Sequence, residues 1–374
     1  MTAVIGLMFV GLQQGFGYSP WYGNPEPVAH AKQKDGNSWW WWRRHHRPPT
    51  VSRPAPTTTT KPSDPTTTTP PAPTTTTPPA PTTTTAPPAA PPGAVPPNTV
   101  PQPGQVGFRG DPASLTVIDG SGASLPAGAR WSGGVLRIAG NVTLEGVFVK
   151  GGIELSSGSL TLRDSIVEGT PSLWATVLAS RGTTLDVRDS TLRWKAGAGM
   201  PGNGWGNGVI HGDARMTILR NDLSGSPDGI QFATSEALIE QNYIHDLAML
   251  GEYPNNTHND GVQSYGGTNN KFRYNRIDLR DAQGKAYNGH QNAALFFQPS
   301  SGFPLSGVQI VGNWLSGGGY TLRLESPVTG AVVTDNQFGP YTGGWGDVLA
   351  DDSGVSISAW SNNRSNNGGQ IPRP

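Results

Sequence analysis

Two short segments, Asp228-Gly-Ile-Gln231 and Asp260-Gly-Val-Gln263, repeat the order carboxylate, glycine, branched apolar residue, amide. Aspartates delivered by two copies of one local structure can be brought side by side. At roughly 5 Å one carboxyl raises the pKa of the other, which places a proton donor beside a base or nucleophile at the spacing used by retaining glycosidases. Ionised, the same pair could instead hold Ca²⁺. A structural role is equally open, because Asp before Gly opens tight corners by bonding its own backbone. Histidine concentrates in the same stretch. His30, His45 and His46 lie near the start of the chain, and the other four, His211, His245, His258 and His290, all fall between 211 and 290. A histidine can act as acid, base or hydrogen-bond donor, so His211 and His258 join Asp228 and Asp260 as candidate catalytic groups. Gln231 and Gln263 are candidate sugar hydrogen-bonding residues. Elimination from a uronate would also need a cation for the sugar carboxylate, and Lys271, Arg273 and Arg323 are the candidates by location. Trp205, Tyr253 and Tyr287 offer ring faces for stacking on sugars.

These groups need a frame, and the chain repeats one. Five segments place Asn221, Asn242, Asn275, Asn313 and Asn336 three residues after an apolar residue and two before another, as in Ile218…Asn221…Leu223. Ser165 and Ser190 occupy the same slot in earlier copies, and Gly146 before Phe148 fits it loosely. Self-similarity of this kind marks a stacked repeat in which no unit buries its apolar face alone. The copies are short, rich in Val, Ile, Thr and Leu, and tend to alternate apolar with polar residues, which predicts strands. The intervening Gly, Asn, Ser and Asp exclude a helical solenoid. What remains is a parallel β-helix, each strand pairing with its counterpart one coil above at roughly 4.8 Å. The aligned amides can then bond up and down the stack and tolerate left-handed backbone at the corner.

A second strand family precedes the first: Ile153–Leu155, Val177–Ala179, Val209–His211, Ile230–Phe232, Val262–Ser264 and Leu322–Leu324, with Val348–Ala350 as a further member. Aligning it on Val209, Ile230, Val262 and Ala294 stacks Asn207, Asp228, Asp260 and Asn292 in one column. Trp205, Ser226, His258 and His290 stack in another, while Gln231 and Gln263 point outward. Long connections at 193–206, 245–257 and 278–289 wall a groove over the coil with the short one, and the site is expected there.

Residues 105–366 resemble the right-handed parallel β-helix proteins of the pectate-lyase-like superfamily, through the apolar-x-x-Asn-x-apolar repeat and the paired Asp-Gly-apolar-Gln strands. The resemblance implies an all-β, right-handed parallel β-helix. It implies no single activity, because such proteins include polysaccharide lyases, hydrolases and epimerases, phage tailspikes and adhesins. The polygalacturonase motif order is not kept: Ser226-Pro-Asp228 retains only its last residue, His211-Gly212 precedes it, and Asp351-Asp352 comes late. The Asp-Pro-His triplet of alginate epimerases and the Arg pair and acidic Ca²⁺ set of pectate lyases are absent, so no catalytic role is carried over.

Composition bounds the rest. With 26 Lys and Arg against 26 Asp and Glu, the chain offers no electrostatic case for nucleic acid as partner. The absence of cysteine excludes a disulfide framework and a thiolate metal site. Residues 48–104 are dominated by Pro, Thr and Ala, with four runs of Thr, and read as a disordered, extended linker resembling those of secreted actinobacterial proteins. In residues 1–47 the apolar run Ala3–Leu12 is too short to span a membrane and has no preceding cation, as in a signal peptide clipped by a wrong start. Trp39–Trp42 followed by Arg43, Arg44, His45, His46 and Arg47 is the order expected at a membrane or wall surface, or a disordered tail. Residues 367–374 form a C-terminal tail. The expectation is a secreted or cell-surface protein that binds and cleaves an extracellular polysaccharide, uronate-containing ones included, without a cofactor other than Ca²⁺. The alternative is a non-catalytic wall or adhesion module that binds carbohydrate.

Overall fold

The computed structural model describes residues 95–200, 208–252, 255–300, 302–339, 344–351 and 353–374. They form the expected all-β parallel β-helix. Each coil contributes to three ladders rather than the two read from the sequence. Ladder one includes Gly152–Arg163 by its first half, then Val177–Ala179, Gly208–Gly212, Asp228–Phe232, Asn259–Ser264, Gln291–Phe297, Tyr320–Leu324 and Gly346–Ala350. Ladder two runs from the second halves of Val135–Glu145 and Gly152–Arg163 through Thr184–Arg188, Arg215–Leu219, Leu238–Glu240, Lys271–Arg273, Gln309–Val311 and Val328–Thr334 to Val355–Ser361. Ladder three is a separate sheet of nine short strands from Thr116–Ile118 to Gln337–Phe338, with Tyr243–His245 and Arg276–Asp278 near its middle.

The asparagine motif is a strand, a corner and a second strand. Its first apolar residue ends ladder two and its last lies in ladder three, so one apparent strand family is two. The chain turns on the residue before the asparagine: Asp164, Asp189, Arg220, Gln241, Tyr274, Asp335 and Asn362 all have positive φ, between 43° and 60°. Left-handed backbone is therefore borne by that neighbour, and the asparagine itself is free to hydrogen-bond. From Asn242 onward each buried amide oxygen accepts from the backbone N–H and the side-chain N–H of the asparagine one coil before, as Asn275 does from Asn242 at 3.0 Å twice. Each amide nitrogen donates to a carbonyl at the end of the preceding coil's ladder-two strand, as Asn275 does to Ile239 at 2.9 Å. Asn363 extends the series past Asn336, and the hydroxyls of Ser190 and Ser165 extend it the other way. Inside the coils Val, Ile and Leu fill a continuous core, joined by Phe232, Phe272 and Phe297, with ring centroids 6.1 and 5.1 Å apart.

Both ends of the folded region reach beyond the boundaries expected from composition. Residues 95–104, read as linker, are docked along the stack. Gln241 donates to the carbonyls of Pro96 and Thr99, Arg276 to that of Pro101, and Val95 and Val106 are buried. Gly107 N–H then bonds Arg220 O, and Phe108 N–H bonds Thr191 Oγ1, so one strap crosses four coils before the first strand of ladder three begins. The C-terminal residues 367–374 also fold back: Ile371 is buried, its carbonyl accepts from Trp360 Nε1, and Arg373 reaches Ile357 O. They cover the apolar end of the last coil. The linker residues up to 94 and the Trp39–Arg47 segment lie outside the described residues.

Candidate functional site

The paired aspartates lie at the start of strands of ladder one, Asp228 as the first residue after the bend at 225–227 and Asp260 as the second of Asn259–Ser264. Gln231 pairs with Gln263 across the two coils, and counting back three residues on each strand sets Asp228 beside Asp260. The contact is direct: Asp260 N–H donates to Asp228 Oδ1 at 2.6 Å. Glycine follows each aspartate because the interior leaves no room for a side chain. A Cβ on Gly229 would lie 2.3 Å from Gly261 O and 2.6 Å from Ile244 Cγ2, and one on Gly261 would lie 2.3 Å from Ile277 Cγ2. With that residue pressed against the core, the carboxylate before it is turned to the outer face. The structural reading of Asp-Gly as a self-bonded corner is thereby replaced by a cross-coil pairing.

Around the pair a polar network follows the stack. Gln231 Nε2 donates to Asp228 Oδ2 at 2.6 Å and to Gln263 Oε1 at 3.0 Å, and Tyr265 OH donates to Gln263 Oε1 at 2.9 Å. On the far side Asn292 Nδ2 donates to both oxygens of Asp260 at 3.0 and 3.2 Å. Asn292 in turn accepts from Arg323, which also binds Glu325 and lies over the Phe296 ring at 4.4 Å. His211 stacks one coil before Gln231, to which it is hydrogen-bonded, and meets Trp174 edge-on at 4.3 Å.

Burial sets the electrostatics. Asp228 is 1% and Asp260 2% exposed. Desolvation, with the Asp260 charge added, raises Asp228 well above the usual carboxylate range. Desolvation pushes Asp260 up to about 8, although the Asn292 hydrogen bond and the Arg323 charge pull it back. Burial and mutual charge both favour the protonated form, so the coupled pair is expected to retain a proton as pH rises past the ordinary carboxylate range. Burial lowers His211 to about 4 and keeps it neutral. Tyr265 is raised by burial and by the two aspartates. His258, exposed at the end of its loop, is lowered by partial desolvation and by the charges of Arg323 and His290.

The arrangement brings together Asp228, Asp260, His211, Gln231, Gln263 and Arg323 of the expected set, with His258 at the edge. Lys271 and Arg273 are not brought in: they lie in ladder two, and Arg273 is bonded to Gln309. Tyr287 stands farther along, against Trp345 at 5.4 Å. Trp205 and Tyr253 lie outside the described residues. His245 belongs to ladder three, between Asp222 and Asp246. The expected column was displaced by one residue on either side of the aspartates. Ile210, not Val209, pairs with Ile230, and a β-bulge makes Asn292 the extra residue, so Val262 pairs with Leu295 and not Ala294. Tyr265, Trp174, Tyr320 and Trp345 were missed. Tyr265 was within reach of the alternation rule, standing two residues after Gln263 on the same face. Among the described residues no three His, Asp or Glu side chains converge as metal ligands would.

No family model matches the chain, and neither a curated protein nor a solved structure matches it.

Proposed function

We propose that the outer face of ladder one is a saccharide site, and that the chain is a secreted or cell-surface polysaccharide-cleaving protein of the pectate-lyase-like kind. The observation that carries the proposal is the buried pair Asp228 and Asp260, joined by Asp260 N–H to Asp228 Oδ1 and set among amides, a tyrosine and a histidine, where burial raises both carboxyl pKa values. A carboxyl whose pKa is raised toward or above neutrality can give a proton to a glycosidic leaving oxygen, and the other carboxyl of the pair, once ionised, can act as base or nucleophile. Gln231, Gln263 and Tyr265 supply the hydrogen bonds that orient hydroxyls. Hydrolysis fits this set better than uronate elimination, because Arg323 is already committed to Glu325 and Asn292, and Lys271 and Arg273 are on another ladder. The Pro/Thr composition of the residues before 95 supports a stalked, extracellular setting. A non-catalytic carbohydrate-binding module is the second reading, favoured by the near-complete burial of both aspartates.

Incubating the full chain with neutral polysaccharides (glucans, xylan, mannan) and acidic ones (pectate, alginate, glycosaminoglycans) separates the two. New reducing ends without ultraviolet-absorbing unsaturated products are expected from a neutral polymer. Binding with no product across the panel would select the module, and unsaturated uronates would show elimination instead.

A further inference from the structure

Two coils beyond Asp260 the outer face changes from amides to aromatic rings. The Asp228 and Asp260 column continues through Ala293 to Tyr320 and Gly346, a rise from Asp260 of about 10 Å to Tyr320 and about 14 Å to Gly346. Trp345 stands there 46% exposed, one of only two large apolar side chains exposed among the described residues. Its ring is flanked by Tyr287 at 5.4 Å and Tyr320 at 5.7 Å. Glycines make room for the rings: a Cβ on Gly319 would lie 2.7 Å from Trp345 Cζ3, and one on Gly344 would lie 2.5 Å from Tyr287 Cδ1. The backbone holds the group rigidly, since Trp345 N–H bonds Gly319 O at 2.8 Å, Gly344 N–H bonds Gly318 O, and Gly318 N–H bonds Ala286 O. It is also tied to the aspartates. Gly319 N–H donates to Asn292 O at 2.8 Å, and the Asn292 side chain is the one that holds Asp260.

We propose that Trp345, with Tyr287 and Tyr320, is a stacking subsite for a neutral sugar ring of a chain that continues along the outer face to Asp260. This rests on the saccharide reading of that face and adds the substrate class. A pyranose with equatorial hydroxyls has an apolar C–H face that an exposed indole can cover, and fixed rings pay little entropy to do so. Charge argues for a neutral sugar. Asp347, two residues past Trp345, keeps a buried carboxylate oxygen without a hydrogen bond, and burial alone raises its pKa, with no cation acting against it. Arg323, the cation between Asp260 and this end, is spent on Glu325 and Asn292. A uronate carboxylate would therefore meet the Asp347 carboxyl and find Arg323 already engaged.

The test uses the full chain, titrated with cellohexaose, xylohexaose and mannohexaose, and with hexagalacturonate and hexamannuronate, followed by tryptophan fluorescence and calorimetry. One neutral series is expected to bind at least about tenfold tighter than either uronate. Trp345→Ala should weaken it about tenfold, while Trp345→Phe, which keeps a ring face, should recover most of the affinity. Unchanged binding by Trp345→Ala, or preference for a uronate, overturns the subsite. If Trp345→Ala binds normally while Asp260→Asn abolishes turnover, the subsite falls and the saccharide reading stands. If wild type neither binds nor cleaves any member, both fall. A change in mass by light scattering on Trp345→Ala would assign the rings to self-association and also overturn the subsite.

Discussion

Asp260→Asn is expected to cut turnover of a neutral polysaccharide at pH 7 by about 10²-fold or more, with the fold intact, because the amide keeps the shape but has no acidic proton to give. The same variant should change the pH dependence of stability in a direction fixed by the sign of the shift. The folded-state pKa of Asp260 is raised from 3.8 to about 8, chiefly by burial. Below 3.8 the carboxyl is protonated in both states, and its contribution to stability is complete. Between there and about 8 the unfolded chain ionises first, so stability falls as pH rises, by about 1.4 kcal/mol per pH unit for one such group. Above about 8 the loss is complete. Asp260→Asn should therefore unfold in urea near the wild-type midpoint at pH 4, within about 1 kcal/mol, and be more stable than wild type by several kcal/mol at pH 9. His211 works in the opposite sense, its lowered pKa giving stability above 6.5 that is lost as pH falls through about 4, and it is common to both proteins. Equal slopes in the two would mean that Asp260 is ionised at neutral pH.

A large loss of stability from a single amide is expected at Asn275, as at the equivalent asparagines of the neighbouring coils. Its oxygen accepts from Asn242 N and Nδ2, and its nitrogen serves Ile239 O and Asn313 Oδ1, all in a fully buried corner. Asn275→Ala leaves two donors and a carbonyl without those partners, at roughly 1–3 kcal/mol each and about 3–5 kcal/mol in all. Asn275→Ser should cost about half as much, since Ser165 and Ser190 already hold the slot by accepting one N–H and donating to a nearby carbonyl. Chemical denaturation of the two variants gives both numbers. Equal losses would show that the hydroxyl does not serve in a middle coil.

Much of this was legible because the repeat forces it. An amide at every corner has to be matched by an amide in the next coil, so Asn221 through Asn336 announce the stack, and two Asp-Gly-apolar-Gln segments announce two adjacent strands. The corner itself was hidden. Arg220, Gln241 and Tyr274 are residue types that seldom adopt positive φ, and nothing in their identity marks a turn, so two ladders were read as one. The bulge at Asn292 was hidden for a related reason: an extra residue in a strand changes the register without changing composition. Pro and Thr disguised the strap, whose carbonyls are held by Gln241 and Arg276 from far along the chain. Trp345 stands in a Gly-rich stretch with no repeat to place it, and only its contact with Tyr287 and Tyr320 gives it a role.

The catalytic proposal for this face turns on a proton held by Asp228 or Asp260 at neutral pH. Carboxyl-carbon NMR of protein labelled at aspartate, from pH 3 to 10, observes that proton directly, with Asp228→Asn and Asp260→Asn supplying the assignments. At least one of the two carboxyls should titrate above pH 7, and its partner's resonance should move in the same step because the pair is coupled. Two independent titrations near the ordinary carboxylate value, about 3.9, would contradict it: both groups would be ionised at neutral pH and neither could be the acid.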